Sequence, residues 1–204
     1  LLQWAYRQTE RYIIEDDYDS EFRYRGKPVP ALQGIDTQER VIYIGTFSKS
    51  ISPAIRMSYM VLPQKLMNKY YGVINFCSNT VSRIDQRMVQ IFMESGGFER
   101  HLNRMRTIYR NKHAVMLSEI KTWRNTEISG ENAGAHMLVQ IRNGMTEKEL
   151  VEKAADAGIK VYPLRDCFIE VNKDETPVIM LGYAKLNAAT MESGLKILKN
   201  EWKL

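Results

Sequence analysis

Cysteine, histidine and long apolar runs are scarce in this sequence. The 204 residues include only Cys77, Cys167 and three histidines. Two cysteines cannot make the disulfide framework of a small secreted domain. With so few histidines and cysteines, no metal centre is expected. The longest stretch without a formal charge, Tyr70–Ser82, has thirteen residues and carries Asn and Ser. A bilayer span takes roughly 20 apolar residues, so no membrane partner is expected. The opening run LLQWAYRQTERY has no basic stretch followed by a continuous apolar one, so no signal peptide is expected. Repeats of about 20–50 residues are absent, which argues against solenoids. Together these absences point to a reducing, cytoplasmic setting.

What is present is globular. Hydrophobic residues make up 44% and charged residues 26%, which excludes disordered and collagen-like classes. The length suffices to bury a core without staples. A net charge of +5 permits contact with nucleic acid but does not argue for it. The chain opens on Leu1 inside a helical pattern, so it reads as a fragment of something longer.

Four compact apolar runs predict strands: Tyr12–Ile14, Val41–Gly45, Met57–Leu62 and His136–Ile141. The first two are nearly continuous rather than alternating, as in strands buried on both faces of an α/β sheet. Ile159–Tyr162 and Val178–Tyr183 are candidates for a second, smaller sheet. Helices are expected over Gln64–Tyr71, Ser82–Glu94 and Phe98–Lys121, with Gly96-Gly97 as a break. Thr146 with Glu149 three residues on predicts a capped helix closed by Gly158. A last helix after Asn187 carries Met191, Leu195, Leu198 and Trp202 on one face. Parallel-sheet patterning stops in the stretch 75–100, which sets the expected division at 1–80 and 81–204.

In α/β sheets, functional groups gather beyond the carboxyl ends of parallel strands. The first strand ends on Asp16, with Tyr18 two residues on; the second runs into Thr46, Ser48 and Lys49. Arg56 follows at the expected start of the third strand. A lysine amine forms Schiff bases with carbonyls. Two hydroxyls and an arginine suit an anion, above all a phosphate. A carboxylate can hold a ring nitrogen protonated. Aldehyde, phosphate and basic ring nitrogen are the three handles of pyridoxal 5'-phosphate, PLP.

The runs IIEDDYDSEFRY (Ile13–Tyr24), PVPALQGID (Pro28–Asp36) and VIYIGTFSKSISPAIRMSYMVLP (Val41–Pro63) resemble fold-type I PLP proteins. FERHLNRMRTIYRNKH (Phe98–His113), Asn143–Leu164 and MLGYAKL (Met180–Leu186) are similar to the MocR-type branch of the GntR regulator family. The resemblance implies an α/β fold-type I aminotransferase-like fragment, part of the large-domain sheet, followed by an α+β small domain. It implies a Schiff base between Lys49 and PLP, Asp16 on the pyridine nitrogen, Tyr18 near the ring hydroxyl, and Thr46, Ser48 and Arg56 on the phosphate. It further implies an amine or amino-acid effector, a homodimer, and DNA contact only through a winged helix–turn–helix outside these residues. With the first half of the large domain outside it, the fragment alone is expected to bind PLP weakly or not at all. It would also leave a strand edge and an apolar face open.

One departure bears on the effector. Simple aminotransferases of this fold place an arginine for the substrate carboxylate in the late strand, where Met180 stands here. Arg165 is the candidate to replace it. The alternative function is a class I aminotransferase acting on an amino acid. The bland readings stand beside these. His136 suits a satisfied core histidine, and the two cysteines suit packing. Arg100, Arg104, Arg106 and Arg110 suit the solvated face of an amphipathic helix rather than a DNA contact.

Overall fold

Ile, Val and Tyr, which fit a pleated surface, dominate the first sheet. The computed structural model describes residues 1–24, 26–27, 29–74, 76–169 and 176–204. Pro28, which opens the PVPALQGID run, lies outside these. The chain divides into two compact units, Leu1–Glu21 with Gly26–Arg104, and Phe22–Arg25 with Met105–Leu204.

In the first unit the order is α1 (Leu2–Tyr6), β1 (Ile13–Asp17), α2 (Leu32–Ile35), β2 (Val41–Thr46), α3 (Phe47–Ser50), β3 (Ser58–Val61), α4 (Gln64–Ile74) and α5 (Arg83–Glu94). The sheet order is β1-β2-β3. β1 and β2 are parallel, with Ile13 opposite Val41 and Asp17 opposite Gly45. β3 runs antiparallel to β2. Among the described residues β1 and β3 each pair on one side only. Ile14, Met60 and Val61 are exposed, as expected for part of a larger sheet. The loop before β2 is knotted by Asp36. Its carboxylate accepts from the Tyr6 hydroxyl at 2.8 Å, Gln38 N–H at 3.0 Å, Val41 N–H at 2.8 Å and Arg40 N–H.

α6 (Gly97–Ile120) leads into the second unit. There follow β4 (Thr126–Ser129), β5 (His136–Ile141), α7 (Glu147–Asp156), β6 (Tyr162–Pro163), a 3-10 turn (Leu164–Cys167), β7 (Val178–Gly182) and α8 (Ala188–Glu201). The sheet order is β4-β5-β7-β6, antiparallel throughout. β5 alternates strictly, with Met137, Val139 and Ile141 fully buried. These meet Ile120, Leu150, Ile179, Met191, Leu195 and Trp202 in one core. Trp202 donates its indole N–H to the Leu150 carbonyl at 2.9 Å, so its polar edge is satisfied. The capping box of α7 is present in full, and Gly158 ends that helix at φ 75°.

Three readings need correction. The strand expected at Ile159–Tyr162 is the two-residue β6, and β4 lies where no strand was expected. Thr126–Ser129 is short, and its pairing with β5 rather than its composition makes it a strand. Both cysteines are exposed rather than packed. His136 is half-buried at the edge of the core rather than within it. The basic face of α6 is solvated as expected at Arg100, Arg104 and Arg110, with Leu102 buried opposite.

Phe22–Tyr24, although close to β1 in sequence, joins the second unit. Tyr24 N–H donates to the Asn132 carbonyl at 2.9 Å and Gly134 N–H to the Phe22 carbonyl at 2.9 Å. The hydroxyls of Tyr24 and Tyr183 both donate to the Gly134 carbonyl, at 2.6 and 2.8 Å.

Candidate functional site

The carboxyl ends of β1 and β2 bring the predicted residues of the first unit to one end of the sheet. Asp16 is the fourth residue of β1 and is exposed; it accepts no hydrogen bond from the described residues. Tyr18 follows in the next turn and is half exposed. The Lys49 ammonium, itself exposed, lies 6.0 Å from the centre of the Tyr18 ring, at the outer range of a cation–π contact. The neighbouring Asp19 carboxylate, burial and the Asp16 carboxylate all push the Tyr18 phenol up. It therefore keeps its proton at neutral pH and is available as a donor.

Lys49 is carried by α3, a single turn that begins where β2 ends. Thr46 caps it: its hydroxyl accepts from Ser48 N–H at 3.1 Å. The same hydroxyl donates to the Met57 carbonyl at 3.2 Å, and Phe47 N–H donates to that carbonyl at 2.9 Å. The Met57 carbonyl thus closes the base of the loop that holds Ser48, Lys49 and Arg56. Behind the turn, the Tyr59 ring packs on Phe47 at 5.3 Å between centroids and lies over Gly45. A Cβ on Gly45 would collide with that ring unless the ring moved, so this position favours glycine.

Arg56 does not begin β3 as expected. It sits two residues earlier, in the loop between α3 and β3, at φ 45°. A non-glycine residue in this left-handed region is held there by its surroundings, and such positions cluster at functional sites. Its guanidinium reaches the Ser48 hydroxyl at 3.5 Å, the outer limit of a hydrogen bond. The Arg56 guanidinium and the Ser48 hydroxyl therefore stand together, a donor pair that suits a phosphate. The exposed amine of Lys49 beside Tyr18, with the Asp16 carboxylate close enough to act on that phenol, is likewise the set an aldehyde with a basic ring takes. The residues present fit PLP.

Arg165 belongs to the second unit. It is tied to Glu147, with its Nε 3.3 Å from the carboxylate and its backbone N–H 3.4 Å from the other oxygen. Glu147 is 9% exposed, so this pair is largely withdrawn from water on one side. Met180 sits in β7, opposite Leu138 and Tyr162. Sequence reading missed the roles of Glu15 and Asp17. Nothing in an EDD run says which acid turns which way. Only the pairing with β2 does.

No family model matches this chain. The chain is 42% identical over 206 residues to the HTH-type transcriptional regulator YhdI of Bacillus subtilis, covering 99% of this chain and 43% of that protein. It is 32% identical over 204 residues to the probable rhizopine catabolism regulatory protein MocR of Rhizobium meliloti, covering 98% and 40%. In fold it is similar to Pyrococcus horikoshii kynurenine aminotransferase, a structure solved in complex with PMP. That match has a TM-score of 0.86 and 23% identity, over 99% of this chain and 50% of the enzyme. The chain thus spans less than half the length of the curated relatives it matches. On this similarity along its whole length and this fold, the chain belongs to the MocR-type branch of the GntR family of transcriptional regulators, as a stretch of their fold-type I, aminotransferase-like region.

Proposed function

We propose that this chain is part of the PLP-binding, effector-sensing domain of a cytoplasmic transcriptional regulator. The observation that carries the reading is the juxtaposition of the Lys49 amine with Tyr18, on a turn whose Ser48 meets Arg56. PLP supplies an aldehyde that takes amines reversibly. Lys49 is the resident amine for it. Asp16 holds the ring nitrogen, and Tyr18 donates to the ring hydroxyl. Ser48 and Arg56 bind the phosphate, and Thr46 contributes through the turn it caps. Residues 1–80 belong to the large domain and 81–204 to the small one.

The effector is an amine or amino acid that competes with Lys49. A difference in contacts between the Lys49-held and the effector-held states biases the arrangement of domains in the whole protein. For a carboxylate-bearing effector, Arg165 offers the guanidinium N–H groups not engaged with Glu147. DNA is met by a helix–turn–helix outside these residues, in a homodimer. Among the described residues no helix is long and apolar enough to cross a membrane.

A catalytic aminotransferase is the second reading, favoured by the fold of the kynurenine enzyme. Identity to the regulators supports the first. The test uses the full-length gene product. Lys49→Ala is expected to abolish the absorption band of PLP linked covalently to the protein; that band persisting refutes the assignment of Lys49. Sustained turnover of an amino acid with a keto acid would replace the sensing role by the enzymatic one.

A further inference from the structure

Three consecutive carboxylates close β1, and each does something different. Parallel pairing sets Glu15 opposite Tyr43 and Asp17 opposite Gly45. Because strand side chains alternate, Glu15 and Asp17 share one face and Asp16 takes the other. Glu15 grips the start of α2, accepting from Leu32 N–H at 2.8 Å and Gln33 N–H at 3.0 Å. Asp17 accepts from the Tyr43 hydroxyl at 2.7 Å and from the Ser20 hydroxyl at 2.7 Å on one oxygen. Its other oxygen accepts from Ser20 N–H at 3.2 Å.

Those bonds close the turn Asp17–Ser20, and Tyr18 is inside it. The anchor, Tyr43, belongs to β2, the strand that ends in Thr46 and the Lys49 turn. Burial, and then the bond to Asp17, push the Tyr43 phenol far up, so it stays a donor. Tyr59 stands beside it at 6.1 Å between centroids and packs in turn on Phe47. One network thus grips both the turn bearing Tyr18 and the turn bearing Lys49.

We propose that Asp17 is a positioning residue, holding the Asp17–Ser20 turn against Tyr43 so that the Tyr18 hydroxyl meets the ligand held at Lys49. This rests on the reading of Lys49 given above. The test is retention of PLP by the full-length gene product, measured by equilibrium dialysis. Asp17→Ala is expected to weaken retention about tenfold, the effect of one lost hydrogen bond. In a Tyr18→Phe background, with that hydroxyl gone, the same change is expected to weaken it less than about twofold. Asp17→Asn keeps an acceptor for Ser20 and is expected to restore most of the loss. If Asp17→Ala does not fold, Tyr43→Phe removes the same anchor and is measured in the same two backgrounds. Equal loss in both backgrounds marks a merely structural role and overturns the proposal. Lys49→Ala separates the two failures. If it leaves retention and absorption unchanged, the reading of the site falls and the proposal with it. If it abolishes them while the two backgrounds respond alike, the role of Asp17 alone falls.

Discussion

Removing the hydroxyl of Thr46 should loosen the turn that carries Lys49. Thr46 sits at φ −136° and ψ 140°, an extended conformation that valine adopts without strain. Thr46→Val therefore keeps the shape and deletes two hydrogen bonds, the 3.1 Å cap to Ser48 N–H and the 3.2 Å bond to the Met57 carbonyl. Loss of a cap costs about 0.5–2 kcal/mol. A second bond adds about 0.5–1.5 kcal/mol. The site is half-buried, so water replaces part of this, and a net loss of about 1–2.5 kcal/mol is expected. A four-residue helix has no interior turns to compensate. Thr46→Ser keeps both polar groups and should lie within about 0.5 kcal/mol of wild type. Urea unfolding of the full-length gene product measures the difference. With a slope of about 1–3 kcal/mol per molar, the valine variant should unfold at a midpoint about 0.3–2.5 M lower. A valine variant as stable as wild type, or a serine variant as weak as the valine one, would refute the reasoning.

Gly45→Ala should destabilise by about 1–3 kcal/mol, because its methyl meets the Tyr59 ring. Adding Tyr59→Ala should remove most of that penalty, and an additive double mutant would show that the ring is not the obstacle. Asp36 should make folding sensitive to acid. Burial pushes its carboxyl up, but hydrogen bonds from Gln38 N–H, the Tyr6 hydroxyl, Arg40 N–H and Val41 N–H outweigh it and hold it below the ordinary 3.8. A group lowered in the folded state stabilises above its unfolded value and loses that contribution as the pH falls through the folded one. Stability should therefore drop as the pH falls below about 4, and Asp36→Asn should flatten that limb. An unchanged slope in unfolding free energy between about pH 5 and pH 3 would contradict this.

Much of the candidate site's placement was legible because it is local. Lys49, Ser48 and Thr46 lie within four residues, and Asp16 and Tyr18 within three, so one strand end apiece presents them. The apolar spacing of α8 and the Thr146–Glu149 capping pair were equally local, and both stand as read. Arg56 was placed on the wrong element. Its left-handed backbone leaves no mark in composition, since arginine rarely adopts it. The ion pair of Arg165 with Glu147 was also hidden, because it joins residues eighteen apart on separate elements.

By itself the sequence determined where β1, β2, β5, β7 and the longer helices fall, that sheets mix with helices, and that Thr46, Ser48 and Lys49 share one short run. Those follow from side-chain periodicity and turn chemistry, which act over a few residues. Tertiary structure decided the rest. The pairing of β1 with β2 assigned different work to Glu15, Asp16 and Asp17, three acids that are alike in sequence. Hydrogen bonds to Asn132 and Gly134, more than a hundred residues away, drew Phe22–Tyr24 into the second unit. Such partners are set by which surfaces pack and in what register, and no window of neighbouring residues carries that information.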